Sequence, residues 1–240
     1  MQNIRIENLL LIDIETVSEY ASFNELNKDW QQLWEEKVHR TLPEETTAAD
    51  FYPQRAGVMA EFAKVICISV GYFKREGKEL KLRVKSFYGD DEKMLLQDFM
   101  AALQKMEINT NKWSFTGHNI KEFDIPFICR RLLINGLSIP PFLDFQNMKP
   151  WETNMVDTFP YWRFGDYKHY TSLKLLAAAL HVPSPKDDID GSMVGDVYWK
   201  ENDLERIVTY CQKDVVTTGN IVLRFKNLPL LAEGDVEIVK

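Results

Sequence analysis

The sequence predicts an α/β fold, and three observations carry that reading. A continuous apolar run, Leu9–Ile14, has the length and the lack of helical spacing of a strand covered on both faces. Two β-rich stretches follow, Val65–Phe73 and Leu80–Tyr88, joined by a hairpin turn at Arg75-Glu76-Gly77-Lys78, so three strands in antiparallel meander are expected. Later segments switch to helical spacing and end in a long helix over Leu204–Phe225, stopped near Pro229.

The remaining elements follow in order. Residues 20–55 look like an insertion, with Trp30, Leu33, Trp34 and Val38 at helical spacing and a polar stretch from Thr41 to Tyr52 that contains Pro43 and is followed by Pro53. Both tryptophans are expected in a core. Asp90 or Asp91 can cap a helix running to about Met106, with Met94, Leu95, Phe99, Ala102 and Leu103 on one face. Trp113–Gly117 reads as a short strand, and Ile125–Ile134 as a helix with Gly136 as its stop. Residues 137–171 are rich in proline and aromatics and read as irregular; Ser172–Leu180 is a helix and Pro183–Gly195 a loop. With no repeat, low-complexity tract or linker in view, residues 1–240 are expected to form a single domain.

Composition narrows the class. Of the 240 residues, 45% are hydrophobic and 27% charged, as in an ordinary globular protein. No apolar stretch approaches the roughly 20 residues that span a bilayer, and Met1-Gln2-Asn3-Ile4-Arg5 does not open a secretory signal. Cys67, Cys129 and Cys211 show no CxxC spacing and read as buried thiols, so a reducing, cytoplasmic setting away from membranes is expected. A net charge of -7 argues against holding duplex DNA by bulk electrostatics. It suits an enzyme whose carboxylates collect cations, because the metals then supply positive charge where a phosphate must sit.

Four acids in three short contexts are the strongest chemical signal. Asp13 and Glu15 close the first apolar run, and residues two apart in a strand share a face. Asp124 ends Gly117-His118-Asn119-Ile120-Lys121-Glu122-Phe123-Asp124, where a helix begins with Pro126 just inside. Tyr210 and Asp214 lie four apart on the last helix, hence on one face, bordering a stripe of Leu204, Ile207, Val208, Cys211 and Val215. Each site has an ordinary alternative: acids that end a strand, an N-cap aspartate, a solvated helix face. All three alternatives would have to hold independently, whereas one two-metal phosphodiesterase site explains the acids together. Mg²⁺ prefers carboxylate and water oxygens. A tyrosine beside the attacking water can orient it or take its proton, although a phenol pKa of about 10 makes it a poor base.

Asp13-Ile14-Glu15-Thr16, Gly-His-Asn-x-x-x-Phe-Asp ending at Asp124, and Tyr-x-x-x-Asp from Tyr210 to Asp214, in that order, resemble the three motifs of the DEDD 3′–5′ exonuclease superfamily, tyrosine branch. The likeness is to the proofreading exonuclease domain of family-B DNA polymerases and to stand-alone exonucleases related to it. That resemblance implies an RNase H-like fold, a mixed five-stranded sheet flanked by helices. It implies two divalent ions, Mg²⁺ or Mn²⁺, on Asp13, Glu15, Asp124 and Asp214, with Tyr210 aligning the nucleophilic water. Thr16, Asn119 and Phe123 fall where family members contact the substrate strand. The activity implied is hydrolysis from the 3′ end of single-stranded or frayed DNA, releasing nucleoside 5′-monophosphates. An RNA 3′-end trimming enzyme on the same site, and a catalytically silent module binding nucleic acid or protein, remain open alternatives. The 20–55 segment has no counterpart in a minimal exonuclease and is a candidate for binding a protein partner.

Other features are weaker. Phe159–Tyr170 interleaves aromatics with Arg163, Lys168 and His169, the composition of a single-strand platform or equally of an aromatic satellite core. The loop 183–191 offers Lys186 as a phosphate contact, though an ordinary polar loop is the commoner case. Asp157 can support the metal site from behind or simply end a strand.

Overall fold

The computed structural model describes residues 4–106, 113–146, 148–149, 152–183 and 189–239. The strands are β1 (Leu9–Ser18), β2 (Ala63–Glu76), β3 (Glu79–Tyr88), β4 (Ser114–Gly117), β5 (Met155–Asp157) and β6 (Val236–Val239). The helices are α1 (Lys28–Val38), α2 (Ala48–Arg55), α3 (Glu92–Lys105), α4 (Asp124–Ile134), α5 (Thr158–Arg163), α6 (Leu173–Ala179), α7 (Val194–Asp196) and α8 (Leu204–Phe225), with a π-helical turn at Val197–Glu201 after α7. The strands form one mixed sheet in the order β5-β4-β1-β2-β3-β6. The meander β1-β2-β3 is antiparallel, while β4 joins β1, β5 joins β4 and β6 joins β3 in parallel.

The alternation of β1 sets what each face meets. Leu10, Ile12 and Ile14 enter a core with Leu95, Phe99 and Leu103 of α3 and Ile125, Ile128 and Leu132 of α4. Leu9 and Leu11 point the other way, into a core with Val215, Val222 and Leu223 of α8. Burying such a side chain fully is worth about 1.5–3 kcal/mol, so helices cover both faces and the apolar run of β1 is accounted for. Residues 13 and 15 continue the α8 face by the same period of two. Cys67, paired with Glu15 across β2, indeed clusters with Val208 and Cys211 of α8. Gly71 lets this helix lie close, since a Cβ there would stand 2.8 Å from Val215 Cγ1.

A buried ion pair ties α3 to α4. Arg131 meets Glu92 through Nε at 2.8 Å and Nη2 at 2.6 Å, and also donates to the Ala60 carbonyl at 2.9 Å. Glu92 accepts from the Val65 N–H at 2.7 Å and from Asn135 Nδ2 at 2.7 Å, so both charged groups are hydrogen-bonded on all sides.

Several elements depart from the sequence reading. The described sheet has six strands where five were expected, because Val236–Val239 adds beyond β3, with Leu82 opposite Val236. β1 runs on to Ser18 instead of ending at Ile14, with a register shift between Glu15 and Thr16. Thr16 therefore lies within the strand. The polar stretch before Pro53 holds α2, with Thr47 as N-cap and Pro53 inside the helix. Trp34 is fully buried against Tyr52 and Phe62, as expected, but Trp30 is half-exposed on the rim of that cluster. Met94, expected on the core face of α3, faces solvent, and Leu96 is buried instead. The irregular stretch 137–171 contains β5 and α5, and the expected loop before residue 195 runs into α7.

Candidate active site

Three elements deliver the four acids. Asp13 and Glu15 stand on the α8 face of β1, and Tyr210 and Asp214 come from the turn of α8 that crosses it. The Cys211 thiol lies between, 3.3 Å from Asp13 Oδ2 and 3.4 Å from the Asp13 carbonyl oxygen. Asp124 is the first residue of α4 and not its N-cap; the cap position is Phe123, whose side chain makes no cap bond. Instead Asp124 Oδ1 accepts a hydrogen bond at 3.1 Å from the N–H of Ile14, the residue between the two β1 acids. That one bond seats α4 against the middle of the acid pair.

The four carboxylates repel one another. Burial is the largest cause raising the Asp13 and Glu15 carboxyls well above the usual range; Asp214 and Asp124 push Asp13 further, and Asp13 and Asp214 push Glu15. Burial also raises Asp124 to about 7, partly opposed by its backbone hydrogen bonds and reinforced by Asp157 and Asp214. Among the described residues, no lysine, arginine or histidine pairs with Asp13, Glu15 or Asp124. Buried like charges without a counter-ion are costly, and hard oxygen donors in this number suit divalent cations. The donor set therefore fits a metal centre. One oxygen each from Asp13 and Glu15 and the Cys211 sulfur all lie within 4.8 Å of one another. Burial and the neighbouring Cys67 thiol push the Cys211 thiol up, so it faces the acids as a neutral group.

The Tyr210 phenol bonds to Asp214 and is raised above its ordinary value, first by burial and then by the charges of Asp214, Glu15 and Asp13. It remains protonated near neutrality, which favours orienting over proton abstraction. A cleft of about 810 Å³ opens at the acids, lined by Asp13, Tyr210 and Asp214 and, among others, by His118, Tyr170 and Lys174. Glu15 and Asp124 are buried and do not form its walls.

The loop that brings in Asp124 is held by backbone contacts. Gly117 ends β4 so close to β1 that a Cβ would stand 2.8 Å from the Ile12 carbonyl oxygen. Asn119 adopts a left-handed φ of 66°. Asp157, at the end of β5, accepts from the N–H groups of Asn119 at 2.8 Å, Lys121 at 3.0 Å and Phe159 at 3.0 Å. His118 is fixed between Thr158 Oγ1 and the Thr171 carbonyl, each at 2.9 Å. Asn119 Oδ1 is buried and has no hydrogen-bond partner among the described residues, an unmet acceptor within the loop that carries Asp124.

Of the other sequence candidates, Thr16 donates its hydroxyl to the Gly57 carbonyl at 2.6 Å. Phe123 stacks near Phe127, with ring centroids 5.3 Å apart, and packs on the core of α3 and α4. Lys186 lies outside the described residues. Asp157, His118 and Cys211 were underweighted by sequence reasoning. The Gly-His-Asn run signalled His118; nothing local signalled the clamp at Asp157.

The fold and site invite comparison with known proteins. No curated protein sequence matches the chain. In overall structure the chain is similar to the family B DNA polymerase from the hyperthermophilic archaeon Pyrobaculum calidifontis, with a TM-score of 0.54 and 15% sequence identity over 88% of this chain. The similar region is 23% of that polymerase chain, so the likeness is one of fold. A family model described as "Predicted 3'-5' exonuclease related to the exonuclease domain of PolB" matches residues 58–233, a stretch that holds Asp124, Tyr210 and Asp214 and, through β2, the partner strand of Asp13 and Glu15. The chain belongs to this family of predicted 3′–5′ exonucleases related to the PolB exonuclease domain.

Proposed function

We propose that the protein is a metal-dependent 3′–5′ exonuclease of the DEDD superfamily, tyrosine branch, with an RNase H-like fold, acting on single-stranded or frayed 3′ ends of DNA. The observation that carries this reading is the meeting of Asp13, Glu15, Asp124 and Asp214 under one cleft, with the Tyr210 phenol bonded to Asp214.

Asp13, Glu15, Asp124 and Asp214 would hold two divalent ions, Mg²⁺ or Mn²⁺, which neutralise the phosphate and make bound water a better nucleophile. The protein's own groups do the rest. The β1 pairing and the bond from Ile14 to Asp124 fix the carboxylates before any ligand arrives, which is the preorganisation such a site needs. Tyr210, protonated and tethered to Asp214, presents its oxygen to orient the attacking water. Asn119, whose Oδ1 lacks a partner in the loop before Asp124, would accept from a donor on the terminal nucleotide once the loop adjusts to the strand. His118 and Lys174, which line the same cleft, would meet the phosphates. Water adds to phosphorus and the 3′-oxygen of the penultimate nucleotide leaves, giving a nucleoside 5′-monophosphate and a strand shortened by one.

The test is a gel of 5′-labelled single-stranded DNA and RNA of one sequence, with Mg²⁺ or Mn²⁺, an EDTA lane and the variants Asp13→Asn and Asp214→Asn. A ladder shortening from the 3′ end, lost with EDTA and in both variants, is expected. Metal-dependent cutting that survives either substitution would sink the assignment. The RNA lanes decide the sugar preference.

A further inference from the structure

The connection from α5 to α6 carries three rings turned to solvent: Phe164 is 85% exposed, Tyr167 79% and Tyr170 64%. Single exposed apolar residues are common, but three within seven positions are not expected by chance. Phe164 also takes a left-handed backbone, φ 46° and ψ 33°, rare for a bulky residue. The next residue, Gly165, has φ 91°, which helps the chain turn there. A strained backbone that points an apolar ring at water is the kind of outlier that marks a binding function.

The segment borders the cleft through its last ring. Tyr170 packs edge-on against buried Phe159 at 4.9 Å and lines the same cleft as Asp13, Tyr210 and Asp214. The Arg163 guanidinium sits 3.9 Å from the Phe159 ring centroid and 5.7 Å from that of Tyr167, backing the rings with a cation. Lys168 is exposed beside Tyr167, and Lys174 lines the cleft. Aromatic faces alternating with cations are what a flexible single strand requires: bases stack on the rings in a sequence-tolerant way and the cations attract the phosphates.

We propose that Phe164, Tyr167 and Tyr170 form a stacking platform that holds the nucleotides upstream of the 3′ end, so that longer single strands bind better than short ones. This rests on the exonuclease reading and adds the path the strand takes away from the acids. A protein-docking role for the same rings is the rival that the test must separate.

The full chain is assayed in Mn²⁺ with single-stranded DNA of 3, 6 and 12 nucleotides and with the p-nitrophenyl ester of thymidine 5′-monophosphate, which occupies the acids alone. KM should fall with strand length. Tyr167→Ala and Phe164→Ala should each raise KM for the 12-mer about tenfold, the effect of losing one stacked base, with kcat and ester hydrolysis retained. Tyr167→Phe should restore KM. Phe164→Gly, which accepts the left-handed backbone, should behave as Phe164→Ala and so assign the effect to the ring. Unchanged KM for the 12-mer in folded Tyr167→Ala and Phe164→Ala overturns the platform, as does equal loss on strand and ester. If the wild type cuts neither substrate, the exonuclease reading fails by itself. Fluorescence anisotropy of the 12-mer in EDTA then decides the platform: binding that weakens in Tyr167→Ala supports it, and absence of binding overturns it.

Discussion

At the scale of single residues, Tyr210 and Asp157 make opposite contributions to the same cleft. Tyr210 lines the cleft beside Asp13 and Asp214, and its phenol is held protonated by burial and by Asp214. Replacing it with Phe removes one oriented hydrogen bond and should lower kcat about ten- to a hundredfold, while KM for single-stranded DNA stays near that of the wild type. Steady-state kinetics on one oligonucleotide check both numbers. Asp157 acts through the loop it clamps. Asp157→Ala frees the N–H groups of Asn119 and Lys121 and should weaken metal binding, read by calorimetry, more than it lowers thermal stability. The acids on β1 were legible because a period of two is visible in six residues. The clamp at Asp157 was not, because its partners are backbone groups 36 and 38 positions away, and backbone N–H groups leave no mark in a sequence.

At the scale of elements, the long and periodic pieces were legible and the short ones were not. β1, β2, β3 and α8 each carry a full pattern of buried residues. The three-residue β5 and four-residue β6 are too short to show a period, and both gain their identity from the strand they join. The contact between α3 and α4 depends on a pair that sequence spacing does not reveal, Glu92 with Arg131, 39 residues apart. Arg131→Met would leave Glu92 buried without its cation. We expect a loss of about 3–5 kcal/mol in chemical denaturation, with a matching loss of metal-dependent activity because α4 bears Asp124. A loss under 1 kcal/mol would show that the pair does not hold the two helices.

For the molecule as a whole, the acid cluster ties stability to pH and to cations. Asp13, Glu15 and Asp124 are raised in the folded protein, the last to about 7 from an ordinary value of 3.8. Such groups favour the folded state below about pH 4 and cease to do so as pH climbs through their folded values. In EDTA, melting temperature should therefore fall between pH 5 and pH 7.5, by about 2–4 °C for each kcal/mol involved. Mn²⁺ should reverse the fall at pH 7.5. Asp124→Asn should flatten the EDTA profile and shrink the gain from Mn²⁺; a profile as steep as the wild type's would show that Asp124 is not among the titrating groups. The net charge of -7 was legible from composition, but the gathering of four of the acids at one point required the fold.

The bond between Cys211 and Asp13 joins residues 198 positions apart, and Asp214 lies further on still. No stretch of chain that stops short of α8 holds all four carboxylates. A nascent chain that has not yet released α8 therefore has Asp13, Glu15 and Asp124 but neither Tyr210 nor Asp214 beside them. The cluster is complete only once the last long helix docks on the sheet, so its assembly waits on the most distant contact in the site.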